Sequence, residues 1–593
     1  MTKLFTRTRI IGYFFALMGA LILFQMVRIQ TNVNAQKMSE SIEKQYGTIV
    51  RTIYPERGNI YDRWGHLLAG NKDVYEVGIA LNEVENPETL ATVLSSLLEL
   101  NYSDVLEKAK LKYIEGEQSY VVVADFVSAE KVNELSAQYE QFEKDRANAN
   151  NSQSVQSLRG LHYVGHLQRT YPENSLASNI LGFYNYRDRE ASTGYYGVEE
   201  NYNDLLAGNP VKIAIPTDPT LIQEVPSVPP GSSLVLTIDR EIQAMVERIL
   251  DEAVKNNGAE SGTAIIMDPT NGEILAMAVT PRMNPNEYWD YGNVFTDNTP
   301  FNRALSETYE PGSVFKVITM AAALDSGTVT PQTQFVDTGS IYVGGYYIYN
   351  WDRGAWGPQD MTGCMQHSLN VCLSWIATEM GPTRFYNYLQ AFGIGRRTNI
   401  DLAGEQIWPL SLPGDKDWYE VNLATNSFGQ GVAATPIQMA MAISAVANNQ
   451  GIMYAPHLLQ AYIQDGKQYN TPPVAVGAPI SAETARTLSE MLAVSLESES
   501  SVALVPGYRL AGKTGTGEIP SAGGYETDLT NTSFVGWGPV DDPKFLVYIW
   551  LEKPTSDRWG STVAAPVFSD IVKELVVLLN LPPDDTRHQL TAQ

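Results

Sequence analysis

The segment YEPGSVFKVITMAAALDSG, residues 309–327, holds the serine and the lysine on which the interpretation of this chain depends. Pro311 fits the first turn of a helix, and Gly327 fits the position just after its end. Ser313 then lies in the first turn with Lys316 on the same face, because side chains three residues apart are neighbours. The spacing predicts an amine within reach of a hydroxyl, although S-x-x-K alone occurs by chance in many helices.

Lys316 can activate Ser313 only in its neutral form, because a serine hydroxyl is a poor nucleophile until a base removes its proton. The pKa of Lys316 must therefore lie well below the usual value of about 10.4. Burial, the positive end of the helix and a second cation such as Lys513 would each lower it. This pattern predicts a serine acyl-transferase that uses no catalytic histidine.

The string Ser368-Leu-Asn370 lies in CMQHSLNVCLSWIATEM, residues 364–380, an apolar-rich run that we interpret as helical. Buried hydroxyl and amide groups need hydrogen-bond partners. We expect Ser368 to relay a proton toward a leaving amine and Asn370 to hold Lys316 and a substrate amide. An ordinary helix start is the alternative for this string taken alone.

The two cysteines of the chain, Cys364 and Cys372, lie in the same run. On one continuous helix, positions eight residues apart are separated by about 12 Å, which is too far for a disulfide. We therefore expect no disulfide and interpret both cysteines as small core residues.

The string Lys513-Thr-Gly515 lies in YRLAGKTGTGEI, and Gly507–Thr514 also match the phosphate-loop pattern G-x-x-x-x-G-K-[ST]. That loop requires a helix that starts at the lysine, and the glycines and the proline that follow make a helix implausible. We predict a strand instead, whose side chains alternate between two faces. The predicted faces are Lys513, Gly515 and Gly517 on one side and Thr514 and Thr516 on the other.

Composition excludes several classes of function. The 593-residue chain carries a net charge of −26, and an acidic surface repels phosphate backbones, so we expect no nucleic-acid partner. Six scattered histidines and the absence of Cys/His spacing argue against a metal site, and we expect no cofactor. A hydrophobic content of 44% and a charged content of 18% are typical of folded domains.

The apolar run IIGYFFALMGALILFQMV, residues 10–27, carries no charge, and about 18 such residues can just span a membrane. Basic residues precede it, so the positive-inside rule predicts a single-pass anchor over residues 10–28 with residues 1–9 in the cytoplasm. The catalytic part would then lie outside the cytoplasm. A cleaved signal peptide is the alternative, because Val33-Asn-Ala35 is a passable cleavage site.

The rest of the chain reads as two folded parts. Arg57–Ala69 predicts a strand–turn–strand element, and residues 86–146 predict helices. Six prolines between Gly208 and Gly231 predict an extended linker. Beyond Ser233, strands at both ends with helices between them predict one mixed α/β domain. The predicted elements of that domain are a strand and helix in LVLTIDREIQAMVERIL, a hairpin in GTAIIMDPTNGEILAMA, strands in TSFVGWGPV and KFLVYIWLEK, and a helix in APVFSDIVKELVVLL.

The S-x-x-K, S-x-N and K-T-G set, spaced 55 and then 145 residues apart, resembles that of penicillin-binding proteins and serine β-lactamases. Arg57–Ala69 is similar to the family's pedestal motif R-G-x-I-x-D-R-x-G-x-x-L-A. Tyr196–Glu199 with Leu206–Gly208 is similar to its G-x-E…L-x-G element, and Phe428–Gly431 with Thr435-Pro436 to a later segment. This resemblance implies a class B penicillin-binding protein, a monofunctional D,D-transpeptidase.

The resemblance also implies a multidomain fold class: an N-terminal transmembrane helix, an α+β pedestal, and a mixed α/β transpeptidase domain with an antiparallel sheet flanked by helices. The implied domains are a cytoplasmic tail at 1–9, an anchor at 10–28, a pedestal or dimerisation domain at 30–210, a proline-rich linker at 211–232, the transpeptidase domain at 233–580 and a tail at 581–593.

In the family's mechanism, Ser313 would form an acyl-enzyme with the penultimate D-alanine of a peptidoglycan stem peptide, or with a β-lactam. Lys316 would be the base, and the backbone N–H groups of Ser313 and Thr516 would form the oxyanion hole. The catalytic set implied is Ser313, Lys316, Ser368, Asn370 and Lys513, with Thr514, Gly515 and Thr516 as substrate-binding residues. An amine from a neighbouring stem would then resolve the ester.

Two positions depart from the family pattern. Val314 stands where many relatives have threonine, and Glu518 where many have alanine or glutamine, which implies altered drug affinity or substrate preference. We interpret Arg57, Gly58, Asp62 and Arg63 as structural or partner-facing rather than catalytic.

The resemblance implies stem peptides ending in D-Ala-D-Ala, β-lactams and a polytopic membrane glycosyltransferase as partners, a dimer as an assembly, and division rather than elongation as the role. The closest rival function is a membrane-anchored β-lactamase or β-lactam sensor, which shares the acylation site. The anchor and pedestal favour the wall enzyme. A second rival is a non-catalytic scaffold of a wall-synthesis complex, against which the intact motifs argue.

Overall fold

The computed structural model describes residues 17–26, 28, 48–114, 118–148, 156–185, 193–216, 228–296, 299–499, 501–521 and 524–591. The chain divides into two compact units. The first unit comprises Met1–Glu56 and Ala207–Gly231, and the second comprises Arg57–Leu206 and Ser232–Gln593.

The described strands are β1 Thr48–Ile53, β2 Ile60–Tyr61, β3 Leu67–Ala80, β4 Tyr120–Ser128, β5 Leu161–Thr170, β6 Phe183–Asn185, β7 Thr193–Tyr195, β8 Val211–Pro216, β9 Ser233–Leu236, β10 Ser261–Met267, β11 Ile274–Val279, β12 Phe335–Asp337, β13 Ser340–Val343, β14 Tyr346–Tyr349, β15 Gly357–Gln359, β16 Met453–Tyr454, β17 Leu459–Gln464, β18 Lys467–Asn470, β19 Ala475–Gly477, β20 Ala511–Ser521, β21 Gly524–Gly538 and β22 Phe545–Glu552.

Beyond a helical stretch at residues 17–26, the described α-helices are α1 Pro87–Leu98, α2 Tyr102–Ala109, α3 Ala129–Asn148, α4 Ser178–Leu181, α5 Gly197–Asn201, α6 Asn203–Ala207, α7 Arg240–Asn257, α8 Tyr291–Val294, α9 Arg303–Ser306, α10 Lys316–Asp325, α11 Met361–Gln366, α12 Asn370–Met380, α13 Pro382–Ala391, α14 Glu420–Asn426, α15 Pro436–Ala447, α16 Ala482–Glu499, α17 Gly560–Leu578 and α18 Asp584–Thr591. Short 3₁₀ helices cover Pro285–Asp290, Gly312–Phe315 and Ser501–Ala503.

The first unit holds a two-stranded antiparallel sheet in which β1 pairs with β8. Strand β8 occupies the beginning of the predicted linker, and residues 217–227 of that linker lie outside the described residues. Of the predicted anchor, residues 10–16 and 27 also lie outside them. In the part of the chain that the structure describes, no helix combines the length and the apolar character needed to cross a membrane.

A seven-stranded sheet in the second unit joins the N-terminal and C-terminal parts of the chain. Its order is β18-β17-β9-β2-β3-β4, and β5 also pairs with β3. The β2–β3 hairpin confirms the strand–turn–strand element predicted for Arg57–Ala69. Strand β2 pairs in parallel with β9, so this motif is built into the same sheet as the first strand after the linker.

A buried ion cluster fixes the start of this motif. Glu199 is fully buried and accepts hydrogen bonds from Arg57 Nε at 2.8 Å and from Arg169 Nε at 2.7 Å. Burial by itself would raise the pKa of Glu199, but the charges of Arg169 and Arg57 outweigh it and hold the pKa below the usual value. Arg57 thus has the structural contacts predicted for it.

The stretch predicted as helical over residues 86–146 is helical only in part. Helix α1 begins as predicted, with the Asn86 side chain accepting from Thr89 N at 3.1 Å and Pro87 in the first turn. The prediction is wrong for Tyr120–Ser128, which forms β4 and pairs with β3. Its run of tyrosine, valine and phenylalanine favours a strand.

The C-terminal part of the second unit is built on a five-stranded sheet of order β11-β10-β22-β21-β20, antiparallel throughout. It confirms the predicted hairpin, the two late strands and the mixed α/β arrangement. Side chains alternate between two cores, so Ile266 packs with α7 and α17 while Ile265 packs with α10 and α15. The sheet is therefore flanked by helices on both faces, and β20 lies at its edge.

Candidate active site

Six of the predicted site residues line one cleft of about 700 Å³ in the second unit. They come from three separate stretches of sequence, which tertiary folding has brought together. The six residues are Ser313, Ser368, Asn370, Lys513, Thr514 and Thr516. Lys316 and Gly515 are buried behind the wall of the cleft.

Ser313 lies in the 3₁₀ turn Gly312–Phe315, which leads directly into α10. Glycines let this turn press against β20. Gly312 has a φ of +57°, and a Cβ there would lie 2.4 Å from the Thr516 carbonyl oxygen. A Cβ on Gly515 would lie 2.1 Å from Ser533 Oγ and 3.1 Å from the Pro311 carbonyl oxygen. The K-T-G glycine is thus needed because strand and serine turn are in backbone contact.

Lys316 is completely buried beneath this turn. Its Nζ donates to the Ser368 carbonyl oxygen at 2.6 Å and to Asn370 Oδ1 at 2.8 Å, and it lies 3.1 Å from Ser368 Oγ. Burial, and then the charge of Lys513, place the pKa of Lys316 well below its usual value. Among the described residues, no carboxylate lies within salt-bridge distance of it.

These contacts suit a neutral amine. A neutral Nζ has two N–H donors and one lone pair, and the carbonyl of Ser368 and the amide oxygen of Asn370 are two pure acceptors. The lone pair can then accept from the Ser368 hydroxyl, whose Oγ lies 3.1 Å from Nζ. The arrangement can therefore take a proton from a serine, which is the chemistry predicted from the sequence.

The run predicted as one helix over residues 364–380 is broken at Ser368. Ser368 has a φ of +54°, in the left-handed region, and separates α11 from α12. Its N–H bonds to the Met365 carbonyl at 3.3 Å, and the Leu369 N–H bonds to the Cys364 carbonyl at 3.0 Å. This pair of bonds is the Schellman motif, which ends a helix and turns the chain.

The prediction that Cys364 and Cys372 cannot form a disulfide is wrong. They are bonded to each other, with their Cα atoms 6.1 Å apart. The predicted separation assumed one straight helix, and the turn at Ser368 folds the two helical segments toward each other. Both cysteines are buried, as predicted. The disulfide joins the helical segments on either side of the turn that contains Ser368 and Asn370.

Lys513 lies on β20 and not at the start of a helix, so the phosphate-loop pattern has no structural counterpart here. Its Nζ contacts the Thr514 carbonyl oxygen at 3.2 Å and Thr514 Oγ1 at 3.3 Å. Along β20, Lys513, Gly515 and Gly517 are buried while Thr514 and Thr516 are partly exposed, which confirms the predicted alternation.

Sequence reasoning missed the aromatic part of the wall. Tyr347, Tyr349 and Trp351 line the cleft next to Ser368, and Trp559 lines it near β20. Their local signal, a tyrosine-rich stretch, is typical of many strands. Among the described residues, no group of three His, Cys, Asp or Glu side chains is arranged to hold a metal ion.

The segment Phe428–Gly431, predicted to matter only from the family resemblance, is hydrogen-bonded to the serine turn, and Phe428 and Gln430 line the cleft. The Gly312 N–H bonds to the Gly429 carbonyl at 3.1 Å, and the Gly431 N–H bonds to Glu310 Oε1 at 3.0 Å. Burial raises the pKa of Glu310 to about 7. This carboxyl therefore titrates near neutrality three residues before the predicted nucleophile.

Comparison with known proteins agrees with this geometry. Residues 262–573 match the family model of the penicillin-binding protein transpeptidase domain, and residues 52–220 match that of the penicillin-binding protein dimerisation domain. The chain is 33% identical to stage V sporulation protein D of Bacillus subtilis, over 89% of this chain and 79% of that protein. It is 30% identical to the peptidoglycan D,D-transpeptidase FtsI of Escherichia coli, over 72% and 70%.

Among solved structures, penicillin-binding protein 3 of Mycobacterium tuberculosis in complex with aztreonam superposes with a TM-score of 0.67. That match has 25% sequence identity and covers 90% of this chain and 98% of that one. Together with the three motifs in one cleft, these findings confirm the resemblance read from the sequence: the chain belongs to the class B penicillin-binding proteins.

Proposed function

We propose that the chain is a peptidoglycan D,D-transpeptidase that cross-links stem peptides through an acyl-enzyme on Ser313, and that β-lactams acylate the same serine. The observation that carries this proposal is the buried Lys316. It lies behind the cleft, contacts Ser368 and Asn370, and has a pKa well below that of an ordinary lysine. Such a lysine can accept a proton at neutral pH.

In the acylation step, Ser313 Oγ attacks the carbonyl carbon of the penultimate D-alanine, and its proton passes to Lys316 Nζ. The bond to the terminal D-alanine then breaks, and the leaving amine receives a proton through the Ser368 hydroxyl. Lys513, Thr514 and Thr516 hold the terminal carboxylate, because a buried cation flanked by two hydroxyls suits that group. The free edge of β20 can pair with the donor backbone.

In the second step, an amine of a neighbouring stem peptide attacks the ester carbon. Its proton passes to Lys316, Ser313 Oγ leaves and is reprotonated, and an amide cross-link results. The similarity to relatives named peptidoglycan D,D-transpeptidase supports this reaction.

The test is covalent labelling by a fluorescent penicillin. We expect the wild-type chain to be labelled and Ser313→Ala to lose the label completely. The matched control is Ser326→Ala, at the far end of the same helical segment, which should keep full labelling. Undiminished labelling of Ser313→Ala would refute the site, and rapid hydrolysis of the penicillin would identify the chain as a β-lactamase instead.

The finer assignments extend this proposal. Residues 10–28 would anchor the chain in the membrane with residues 1–9 in the cytoplasm, and a polytopic glycosyltransferase would supply new strands. Assembly would be as a dimer, and the role would be in division. Depletion that leaves cells as filaments supports the division role, and rounded cells would contradict it.

A further inference from the structure

A tyrosine-rich hairpin lies beside the cleft and has no part in the chemistry described above. Strands β13 and β14 are joined by Gly344 and Gly345, with φ of +56° and +91°, which is the pattern of a tight hairpin turn. Residues 339–351 contain four tyrosines, one tryptophan and no charged side chain. The hairpin itself therefore offers aromatic rings and hydroxyl groups, and the nearby Arg353 guanidinium lies over the Tyr349 ring, 5.5 Å from its centroid.

The two faces of this hairpin differ. Tyr342 lies opposite Tyr347 across the strands, and Tyr349 follows on the same face. The ring centroids of Tyr342 and Tyr347 are 5.0 Å apart, and those of Tyr347 and Tyr349 are 6.3 Å apart. We call these three residues the tyrosine face. They are exposed by 62%, 61% and 46%, while Val343 on the other face is buried.

The hairpin is fixed in place. A Cβ on Gly344 would lie 2.5 Å from the backbone nitrogen of Val421, so the turn lies directly against α14. At the other end, Asn370 Nδ2 donates to the Tyr349 carbonyl oxygen at 3.2 Å. Trp351 Nε1 donates to the His367 carbonyl oxygen at 3.1 Å. The tyrosine face is therefore a preformed surface attached to the Ser368 turn.

The tyrosine face continues the cleft outward. Tyr347, Tyr349 and Trp351 line the cleft, whereas Tyr342 lies beyond it. Trp351 also meets Trp559 edge to face, with ring centroids 5.3 Å apart. The aromatic surface therefore offers a ligand at Ser313 one continuous path out of the cleft.

We propose that the tyrosine face binds the amino sugars of the glycan strand to which the stem peptide in the cleft is attached. This inference rests on the function proposed above. Sugar rings present C–H faces that stack on aromatic rings, and their hydroxyls can hydrogen-bond to tyrosine hydroxyls. Because the peptide is covalently joined to a sugar, a sugar follows within about 18 Å of the reacting end, the length of about five extended residues.

A partner protein is the other occupant that an exposed aromatic surface can serve. Protein interfaces are also enriched in aromatic residues, and the Arg353 guanidinium lies over the Tyr349 ring, 5.5 Å from its centroid. The tyrosine face is continuous with the peptide cleft. This continuity favours the glycan.

The experiment compares two probes on the full-length protein: a disaccharide–pentapeptide from peptidoglycan and the same pentapeptide without sugars. For Tyr342→Ala we expect the KM of the disaccharide–pentapeptide to rise about fivefold, the loss expected for one aromatic stacking contact. The KM of the sugar-free pentapeptide should not change. Tyr342→Trp, which restores an aromatic ring, should restore the lower KM.

Tyr346→Ala is the matched control, because Tyr346 is equally exposed, at 64%, and points to the opposite face of the hairpin. We expect it to leave both KM values unchanged. An equal effect of Tyr342→Ala on both probes, or no effect on either, would overturn the glycan proposal. Penicillin labelling of Ser313 needs no sugar and should persist in every hairpin variant, so it reports the proposed function separately.

Discussion

Lys316 and Glu199 are both ionisable side chains with no exposed surface, and their surroundings are opposite. Glu199 lies between two arginines, with ion-pair distances of 2.6 Å to Arg57 and 2.7 Å to Arg169. Lys316 has only uncharged hydrogen-bond partners, and the charge that acts on it is that of another lysine, Lys513. Burial penalises both charges, but only Glu199 has opposite charges that compensate for it.

The comparison shows that the free-energy cost of burying a charge has two different outcomes, depending on the neighbouring charges. A carboxylate surrounded by arginines keeps its charge and holds Arg57, β2 and the neighbouring chain segments together. A buried amine beside a like charge has a lowered pKa, which suits the base proposed here. Burial alone therefore does not identify a functional residue, whereas burial together with the sign of the neighbouring charge does.

The largest expected effect is on catalysis, from Lys316→Met. Removing the amine while keeping an apolar side chain of similar length should slow penicillin acylation by about 10²–10⁴-fold, the usual contribution of a general base. The free energy of unfolding should not fall, because the burial cost of the amine is removed as well. Labelling rates and urea denaturation measure the two quantities.

The matched control for Lys316→Met is Lys573→Met, at an exposed lysine that is paired with Asp570 at 2.9 Å. It should change neither the acylation rate nor the stability. A Lys316→Met protein that acylates at the wild-type rate would show that another group takes the proton of Ser313.

The next effect is on stability, from Glu199→Gln. This change leaves Arg57 and Arg169 buried without their carboxylate, and we expect a loss of about 3–5 kcal/mol in the free energy of unfolding. The exposed pair Glu490–Arg509, at 2.7 Å, provides the contrast. Glu490→Gln should cost less than about 1 kcal/mol.

Urea denaturation followed by tryptophan fluorescence measures both variants. The folded fraction of Glu199→Gln should still be labelled by penicillin, because Glu199 has no contact with the cleft residues. If Glu199→Gln and Glu490→Gln lost similar amounts of unfolding free energy, the buried cluster around Glu199 would not be a main source of stability in this region.

The smallest expected effect is a shift in pH dependence. Only neutral Lys316 can take a proton, so acylation should rise as the pH rises through its pKa, and the fold also gains stability in that direction. Removing the Lys513 charge removes one of the two causes that lower the pKa of Lys316, so that pKa should rise. Lys513→Met should therefore move the acidic limb of the acylation profile to higher pH.

Each variant's acylation rates are divided by that variant's maximum rate. This scaling removes the effect of weaker penicillin carboxylate binding on the overall rate and leaves the position of the acidic limb. Lys513→Arg keeps the charge and should keep the limb in place. An unmoved limb in Lys513→Met would mean that burial alone sets the pKa of Lys316.

Much of the fold followed from local pattern. The alternation in β20, the hairpin of β10 and β11 and the start of α1 at Asn86 depend on neighbouring residues, and each was predicted. Strand β4 was missed because its residues are followed by a long helix and its partner β3 is distant in sequence. Strand propensity depends strongly on such partners.

The sequence predicted which residues form the site, but it did not predict the backbone conformation that positions them. Ser368 adopts a left-handed conformation that glycine favours, so its residue type gave no sign of a turn. The assumption of one straight helix therefore failed there, and with it the expected distance between Cys364 and Cys372. The tyrosine face was missed because its position beside the cleft depends on contacts far along the chain.

Residue types and their spacing establish which groups are present and in which order: a serine one helical turn before a lysine, a second serine and amide, and a lysine on a glycine-rich strand. Long-range packing brings these groups together, buries Lys316 near Lys513, and allows a disulfide to close the Ser368 turn. The reason is physical. Residue types and spacing fix local conformation, but a pKa or a bond between distant atoms depends on burial and distance, which only the packed chain sets.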